Sequence, residues 1–456
     1  MESLARLALG LNRWSERWIP SSFSIAVLLT LVTAVLALTL TPVTPATLLT
    51  AWGDGFWELL SFGMQMSLVM VAGYMVATSP PADRALTALA RLPRGPRSAV
   101  AWMALLSMGL GLLNWGLSIV TSAVMVRRFA RQQPRVDYLL LLTADYLGMG
   151  FTWHAGLSAS APLLVATPKH FLESTIGLVP LTQTIFSPFN LALTAVVVAL
   201  FGLLVPALHP SAERSLTVDS RAVQADAEEA IDASNAIDVA SDPTPGFRFA
   251  DWIDRTPLLG WLLALFGFLW LGRYFMAKGW TALTLNVVNF LFLMLAFALH
   301  GRPSRIVAAA EGGVKLISGV VLQFPLYAGM YGIIKGSGLA EVIGAAFVAV
   351  ADAHSYPLFI YWYSGIVNYF VPSGGSKWAI EAPYVLAAGK TLGVATPKIV
   401  MSYAWGDMMT DLIQPFWALP LLRAARLDFR HILGYAMLLC LIYTIVVSLA
   451  FGLFAR

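Results

Sequence analysis

The sequence predicts an all-α polytopic membrane protein with about nine full spans, built as an inverted repeat with two re-entrant hairpins and two discontinuous helices. Of its 456 residues, 58% are hydrophobic and only 12% are charged, about half the charge of a soluble domain. Apolar runs long enough to span a bilayer recur along the chain. Polar and glycine-rich residues interrupt several of these runs at matching places in the two halves.

The sharpest interruption lies within 364–383, where Pro-Ser-Gly-Gly-Ser-Lys at 372–377 is unsuited to a helix interior. Each flanking apolar arm has roughly 11–16 residues, fewer than the ~20 needed to cross. Backbone polar groups at membrane depth survive only where they are buried in protein or line a wet cavity. We therefore predict a re-entrant hairpin at about 356–389 whose tip binds a ligand. The alternative is a surface turn between two ordinary helices.

The first half of the chain is predicted to begin with an amphipathic segment, 1–20, whose arginines place it at the inner membrane interface. The first transmembrane half then covers 21–208. Within it, a hairpin at about 99–130 breaks near Asn114. A discontinuous helix is predicted over 136–168. The full spans of this half are predicted at 21–40, 59–78 and 188–208.

A polar segment at 209–255 separates the halves. It is rich in Ser, Asp, Glu, Ala and Pro, and we predict a solvated cytoplasmic linker. The second transmembrane half covers 256–456 and contains the hairpin at 356–389. A second discontinuous helix is predicted over 398–422, with Gly406 and Pro415 inside it. The full spans of this half are predicted at 257–275, 283–299, 313–335 and 432–454.

The two halves show an internal duplication. Four positions of the first half match the second at an offset of 258, and the two hairpin breaks match at an offset of 254. The matched pairs are Gly55 with Gly313, Leu59 with Ile317, Gln65 with Gln323, Leu68 with Leu326, and Asn114 with Asn368. An odd number of crossings between the copies inverts the second copy. Inverted repeats with broken helices meeting at the midplane are typical of secondary transporters.

The distribution of positive charge supports this topology. With a cytoplasmic N-terminus, 20 of the 29 Lys and Arg residues fall on inner segments and 7 on outer segments. The remaining two, Lys315 and Lys377, lie near or within the membrane. This bias agrees with the positive-inside rule, and it makes the first hairpin open from the cytoplasm and the second from outside.

Candidate binding residues cluster at the two tips, where helix N-termini offer backbone amides to a carboxylate. The residues around the tips are Asn114, Trp115 and Ser118 in the first half, and Asn368, Ser373, Gly374, Gly375, Ser376 and Lys377 in the second. Lys377 stands out, because an ammonium at membrane depth is costly unless it is paired or hydrated. It is predicted either to fix a substrate carboxylate or to pair with Glu381, one turn later on the same helix face.

The predicted coupling residues are Asp407, Asp411, Glu381 and Thr152, and His154 is a further candidate binding residue. Asp407 and Asp411 lie four residues apart, hence on one helix face, where their like charges favour proton uptake by one of them. They are interpreted either as a proton or cation coupling site or as counter-charges for Lys377. Thr152 and His154 are the corresponding polar groups of the first half; His154 is either a proton relay or a hydrogen-bonded packing residue.

Several function classes are excluded or disfavoured. The sequence contains no P-loop and no catalytic motif, so an enzyme and an ATP-driven pump are not predicted. Cys440 is the single cysteine, which rules out an internal disulfide. No cofactor and no nucleic-acid partner are expected, while Na⁺ near Asn114 and Asn368 is a candidate coupling ion. A channel or a cation/proton antiporter remains an alternative to a transporter of small carboxylates.

Six motifs resemble the short-chain fatty acid transporter family of the ion-transporter superfamily. They are Trp-Gly-Asp-Gly-Phe-Trp at 52–57, Phe-Gly-Met-Gln-Met at 62–66, Asn-Trp-Gly at 114–116, Pro-Leu-Leu-Val-Ala-Thr-Pro at 162–168, Val-Pro-Ser-Gly-Gly at 371–375 and Gln-Pro-Phe-Trp-Ala-Leu-Pro at 414–420. The resemblance implies an elevator-type fold and ion-driven uptake of small monocarboxylates. By position it also implies a binding region that involves Asn114, Gly116, Asn368, Ser373, Gly374, Gly375 and Gln414. We further expect a homodimer in the bacterial inner membrane.

This sequence departs from the family pattern around the expected site. Ser376-Lys377 stands where the family favours Gly-Gln, Glu381-Ala-Pro where it tends to have Gln-Gly-Pro, and Asp411 where it has Asn. Trp153-His-Ala-Gly also replaces a Trp-Gly-Gly-Gly stretch. These changes predict a more polar substrate, such as a hydroxy, keto or zwitterionic amino acid, or an altered coupling ion.

Overall fold

A computed structural model describes residues 22–211, 213, 215–217, 249–414 and 431–453. All regular secondary structure in these ranges is helical, as the composition predicts. Both halves contribute to one large apolar core. The amphipathic segment at 1–20, most of the linker at 209–255 and the predicted break at Pro415 lie outside the described residues.

The described part of the first half, from residue 22 on, contains ten α-helices and two short 3₁₀ turns. The helices are α1 (Ser22–Leu40), α2 (Pro45–Gly55), α3 (Leu60–Ala77), α4 (Pro80–Leu89), α5 (Pro96–Leu113), α6 (Trp115–Gln132), α7 (Tyr138–Phe151), α8 (Ser160–Val165), α9 (Glu173–Ile176) and α10 (Pro188–Ala207). The 3₁₀ turns are Trp153–Ala155 and Leu181–Gln183.

The described part of the second half contains ten further α-helices. They are α11 (Phe249–Arg255), α12 (Leu258–Lys278), α13 (Leu285–His300), α14 (Pro303–Val314), α15 (Ser318–Ser337), α16 (Leu339–Val350), α17 (Tyr356–Phe370), α18 (Gly374–Thr391), α19 (Thr396–Met408) and α20 (Leu433–Leu453).

Six of the described helices are long and apolar enough to cross a membrane, or seven if the bent pair α14 and α15 forms one span. The six are α1, α3, α5, α10, α12 and α20. The protein is therefore a multi-pass membrane protein. Among the six, α5 was predicted as a hairpin arm and not as a full span. The predicted count of about nine also includes α13 and the discontinuous helices, whose described pieces α7 and α19, like α13, are shorter than 18 residues.

Helices of each half pack against helices of the other half in an equivalent pattern. In order along the chain, α2 to α7 correspond to α14 to α19. Helix α2 packs against α15, and its counterpart α14 packs against α3, the counterpart of α15. Likewise α1 packs against α15 while α13 packs against α3. Each half thus completes its packing with elements of the other half.

Equivalent hydrogen bonds appear in both halves. The Ser107 hydroxyl donates to the Ala144 carbonyl at 2.8 Å, and the Ser364 hydroxyl donates to the Tyr403 carbonyl at 3.0 Å. The Thr152 hydroxyl donates to the Met108 carbonyl at 2.9 Å, as the Thr410 hydroxyl donates to the Gly365 carbonyl at 2.8 Å. These bonds tie α5 to α7 and α17 to α19, so they hold one arm of each broken pair against a discontinuous helix.

The first discontinuous helix breaks inside its predicted range of 136–168, but neither Gly148 nor Gly406 lies at a break. Gly148 is still helical, and α7 ends at Phe151; Gly406 is likewise inside α19, which ends at Met408. A Cβ atom on Gly148 would overlap the Ser107 carbonyl, and one on Gly406 would overlap the Tyr361 carbonyl. Both glycines therefore serve the close approach of neighbouring helices instead of the break itself.

The tips of the two broken pairs differ in length. One extended residue, Asn114, separates α5 from α6, and its side-chain oxygen accepts the Leu117 N–H at 2.9 Å as a helix cap. Three residues, 371–373, separate α17 from α18. The helix pairs cover 96–132 and 356–391, close to the predicted bounds of 99–130 and 356–389.

The predicted linker is ordered at both described ends. Leu216 N–H donates to Asp137 Oδ2 at 2.9 Å, and Tyr138 N–H donates to the Leu216 carbonyl at 2.9 Å, so the segment is fastened to the start of α7. At the other end, 249–255 forms helix α11 instead of a solvated coil. Within this helix the centroids of the Phe249 and Trp252 rings lie 6.0 Å apart.

Candidate functional site

A cavity lies between the tips of the two broken helix pairs. About 440 Å³ of empty space, part of it open to the surroundings, is lined by Met66, Trp115, Met149, Trp153, Ser160, Val320, Phe324, Pro372, Ser373, Gly374, Gly375 and Asp411. Only about 40 Å³ of this space is wide enough for the centre of a water-sized sphere, well below the roughly 300–1,000 Å³ of typical small-molecule sites. Most of the wall is apolar, and the polar groups are confined to the start of α18, Ser160 and Asp411.

Lys377 is buried beside the cavity and is fully engaged. Its ammonium forms an ion pair with Asp407 Oδ1 at 2.9 Å, with both side chains only 1% exposed. It also donates to the Ser364 carbonyl at 2.8 Å and the Ser364 hydroxyl at 2.7 Å. The face of the Tyr403 ring lies 4.5 Å from the nitrogen. The pairing with Asp407 is one of the two roles that the sequence left open for the aspartates.

The pair that helical spacing suggested does not form. Glu381 is 1% exposed, and neither of its carboxylate oxygens has a hydrogen-bond partner among the described residues. Lys377 turns toward α17 and α19 because those helices offer three oxygen atoms, whereas Glu381 lies on its own helix. Glu381 is thus a buried carboxylate without a direct counter-charge in the described structure.

His154 links the first half to this ion pair. Its Nδ1 lies 2.9 Å from Asp407 Oδ2, and the Ala161 N–H donates to its Nε2 at 3.3 Å. Because Nε2 accepts a backbone N–H, the ring proton belongs on Nδ1, which donates to Asp407. His154 therefore bonds Asp407, and this contact is compatible both with a proton relay and with a hydrogen-bonded packing residue.

Asp411 also joins the two halves, at the cavity wall. Trp153 Nε1 donates to its Oδ2 at 2.9 Å, and Asn368 Nδ2 donates to its Oδ1 at 2.7 Å. The Asn368 amide also donates to the Thr410 hydroxyl at 3.3 Å, while its Oδ1 has no hydrogen-bond partner among the described residues. The carboxylate of Asp411 is thus oriented by one group from each half.

The start of α18 lines the cavity at Ser373, Gly374 and Gly375 and carries backbone N–H groups without helical acceptors. The first intrahelical bond runs from the Lys377 N–H to the Ser373 carbonyl at 2.9 Å, so the N–H groups of 374–376 have no helical acceptor. The Tyr403 hydroxyl donates to the Gly374 carbonyl at 2.6 Å and fixes this tip. The Ser373 and Ser376 hydroxyls bond each other at 2.8 Å.

The tip of the first pair serves mainly structural contacts. Asn114 caps α6 and donates to the Val69 carbonyl at 3.2 Å, so both ends of its amide are engaged. Ser118 donates to the Ser107 carbonyl at 3.0 Å, and the Cα of Gly116 faces α3 at Met70. Trp115 does line the cavity, and its N–H donates to Ser158 Oγ at 2.9 Å.

The structure gathers most of the predicted site residues but not all. Trp115, Ser373, Gly374, Gly375 and Asp411 line the cavity, while His154, Asn368, Lys377 and Asp407 form the buried network behind it. Thr152 bonds back to α5, and Gln414 is buried at the end of the described segment.

Two residues that shape the site were not predicted. Ser364 supplies two of the oxygens around Lys377, and Tyr403 supplies the ring and the hydroxyl described above. Helical spacing holds a signal for both, because Ser364 precedes Asn368 by four residues and Tyr403 precedes Asp407 by four.

Comparison with known proteins gives one family for almost the whole chain. A family model for short chain fatty acid transporters matches residues 3–454. A protein assigned to short-chain fatty acid transport in Escherichia coli (strain K12) is 33% identical over 451 residues, which is 99% of this chain and 100% of the relative. A protein of the same assignment in Haemophilus influenzae is 33% identical over 447 residues, 95% of this chain and 96% of the relative.

Two solved transporters share the fold. The YdaH transporter of Alcanivorax borkumensis, described as having an unusual topology, superposes with a TM-score of 0.60 at 17% identity, covering 96% of this chain and 98% of that one. MtrF of Neisseria gonorrhoeae, from a class of antimetabolite efflux pumps, gives 0.50 at 14% identity, covering 99% and 97%. At these identities the likeness concerns the fold alone.

Proposed function

This chain belongs to the short-chain fatty acid transporter family, and from that membership we propose that it is a secondary active transporter that moves a small carboxylate across the cytoplasmic membrane. The family makes it a multi-pass transporter and not an enzyme. The proposal adds the substrate class, the site and the coupling.

The observation that carries the proposal is the composition of the cavity. Backbone N–H groups at the start of α18 offer hydrogen bonds and the positive end of a helix to an anion. Trp115, Trp153 and Phe324 form apolar walls that suit a short carbon chain. A small monocarboxylate has one end for each kind of surface.

The carboxylate of Asp411 explains why such an anion would need a companion. The Asp411 carboxylate lines the same cavity as the start of α18. A substrate carboxylate bound there would lie near it, and two buried negative charges close together repel each other strongly in a low-dielectric site. A proton or a small cation that enters with the substrate removes this repulsion. We therefore propose symport with H⁺ or Na⁺.

The transport cycle is proposed to follow from the repeat. If the pairs α5–α6 and α17–α18 are re-entrant hairpins that open toward opposite sides, one central site is exposed alternately, and an elevator movement of the paired helices would carry it. We further propose that the N-terminus is cytoplasmic. We also propose that the protein is a homodimer, in which one copy supports the movement of the other.

A zwitterionic solute is the second candidate. Asp411 in the cavity wall would accept an ammonium group as readily as the α18 amides would accept a carboxylate. The sequence departures at Lys377, Glu381 and Asp411 point in the same direction, since all three replace neutral residues of the family pattern.

Proteoliposomes test the proposed function. Radiolabelled butyrate, acetoacetate and a small neutral amino acid are offered to the purified chain under an imposed pH gradient, an imposed Na⁺ gradient, or neither. We expect a carboxylate to accumulate under one gradient and to equilibrate without it. Accumulation of the amino acid alone would select the second candidate, and uptake that ignores both gradients would refute coupling.

Glu381→Gln is expected to separate coupling from movement. The buried Glu381 carboxylate has no hydrogen-bond partner among the described residues, so a proton is the simplest way to neutralise it during the cycle. We expect the variant to lose the substrate accumulation that a pH gradient drives. For symport with one proton, this accumulation is about tenfold per pH unit. Substrate exchange between preloaded and external pools should continue.

Glu341→Gln is the matched control, because Glu341 is exposed on the neighbouring helix α16. It should accumulate substrate like the wild type. Full accumulation by the Glu381→Gln variant would remove Glu381 from the coupling mechanism.

A further inference from the structure

The surroundings of the Lys377 ammonium resemble a cation-binding shell. Three oxygen atoms lie 2.7–2.9 Å from the nitrogen, one carbonyl and one hydroxyl from Ser364 and one carboxylate oxygen from Asp407. The Tyr403 ring faces the same nitrogen at 4.5 Å. Each of these groups is a recognised partner of small cations.

The shell is built by the fold and not by Lys377 itself. Ser364 lies on α17 and Asp407 on α19, while the ammonium enters from α18. His154 fixes the other oxygen of Asp407, and the Ser364 hydroxyl is also bonded to the Tyr403 carbonyl. The oxygen atoms are therefore held from outside, so they would stay together if the lysine side chain were shortened.

We propose that the Lys377 ammonium is a tethered cation that occupies the position a free Na⁺ or K⁺ would take, so that the protein binds and uses no alkali cation there. This inference rests on the proposed function for its consequence in transport. The covalent link gives the ammonium a very high effective concentration at the shell, which a free ion does not match.

The consequence concerns the driving ion. A tethered cation balances Asp407 but travels with the protein, so it carries no energy from an ion gradient. Coupling then depends on a different species. The buried carboxylates Glu381 and Asp411 remain as candidate acceptors of the coupling proton or cation, so the Lys377 shell itself is not the coupling site.

The test uses the thermal unfolding of the purified protein in NaCl, KCl and choline chloride of equal ionic strength. We expect the wild type to have the same Tm in all three salts. The Lys377→Ala variant should gain about 2–4 °C in NaCl or in KCl over choline chloride, because the vacated shell then binds the ion. The two alkali arms distinguish Na⁺ from K⁺.

Lys390→Ala is the matched control, because Lys390 is exposed near the end of the same helix. It should show no difference between the three salts. Lys377→Gln provides a second vacated shell in case the alanine variant does not fold. A specific Tm gain of the wild type in NaCl or KCl would overturn the proposal, as would folded Lys377 variants with no such gain.

Uptake measured in the three salts keeps this proposal separate from the proposed function. The wild type should transport equally well when choline replaces Na⁺ and K⁺. Loss of uptake in choline from the wild type, together with a wild-type Tm gain in NaCl or KCl that the Lys377→Ala variant lacks, would overturn the tethered-cation proposal while leaving the carboxylate transporter intact. Absence of carboxylate uptake in every salt would refute the transporter, whereas the unfolding comparison would still decide the role of Lys377.

Discussion

Asp407→Asn is expected to abolish transport and to destabilise the protein by about 3–5 kcal/mol, because it leaves the Lys377 ammonium buried without a counter-charge. Asp407 is also the acceptor of the His154 Nδ1–H, so the change disturbs the contact between the two halves. The effect is expected in the thermal unfolding temperature and in the proteoliposome uptake rate of the folded fraction.

A double variant separates the charge from the fold. Lys377→Met in the Asp407→Asn background removes the stranded ammonium, and it should recover most of the lost stability, since removing both partners of a buried pair is often neutral. Transport should remain lost. The single variant Lys377→Met completes the comparison. If the stability losses of the two single variants add up to the loss of the double variant, the pair is not energetically coupled.

Asp54→Asn serves as the control for this series, because Asp54 is exposed on α2. It should change neither the unfolding temperature nor the uptake. An Asp407→Asn variant with normal stability and normal uptake would contradict the role assigned to the ion pair.

Gly374→Ala is expected to reduce transport by about two orders of magnitude while leaving the helices intact, since a misplacement of about 1 Å at a site has effects of that size. A Cβ atom on Gly374 would lie 2.6 Å from Asp407 Oδ2, 2.7 Å from His154 Cε1 and 2.8 Å from the Trp153 ring. All three neighbours are fixed by hydrogen bonds, so the tip of α18 must move away from them.

Two other glycine variants serve as controls for the loss of transport in Gly374→Ala. Gly375→Ala should be milder, because its nearest neighbours are Phe62 ring atoms at 3.0 and 3.1 Å, which have more room to adjust. Gly109→Ala, in helix α5, meets nothing within 4 Å and should be neutral or slightly stabilising. Equal uptake by the Gly374→Ala and Gly109→Ala variants would show that the tip tolerates displacement.

The helical class and the order of elements could be predicted from the sequence because both depend on local composition. Apolar runs of sufficient length specify helices in a membrane whatever their partners are. The internal repeat was visible for the same reason, and the equivalent hydrogen bonds of Ser107 and Ser364 agree with it. The exact breaks could not be predicted, because Gly148 and Gly406 serve contacts with distant helices.

The candidate site was predicted in part. The tip residues and the two aspartates were found because glycine, proline and charge are unusual in an apolar chain. Their pairing was not found, because the Trp153 bond to Asp411 joins residues 258 positions apart and the His154 bond to Asp407 joins residues 253 apart. For Lys377 the sequence offered both Glu381 and the two aspartates as partners, and the packing of neighbouring helices selected Asp407.

The sequence by itself therefore determined that this chain is a helical membrane transporter with broken, glycine-rich elements in both halves. Only the tertiary structure decided which charges meet. The physical reason is that apolar length and backbone breaks are properties of a single segment, whereas the partner of a buried charge is chosen by whichever oxygen atoms the packing of separate helices brings within hydrogen-bond distance.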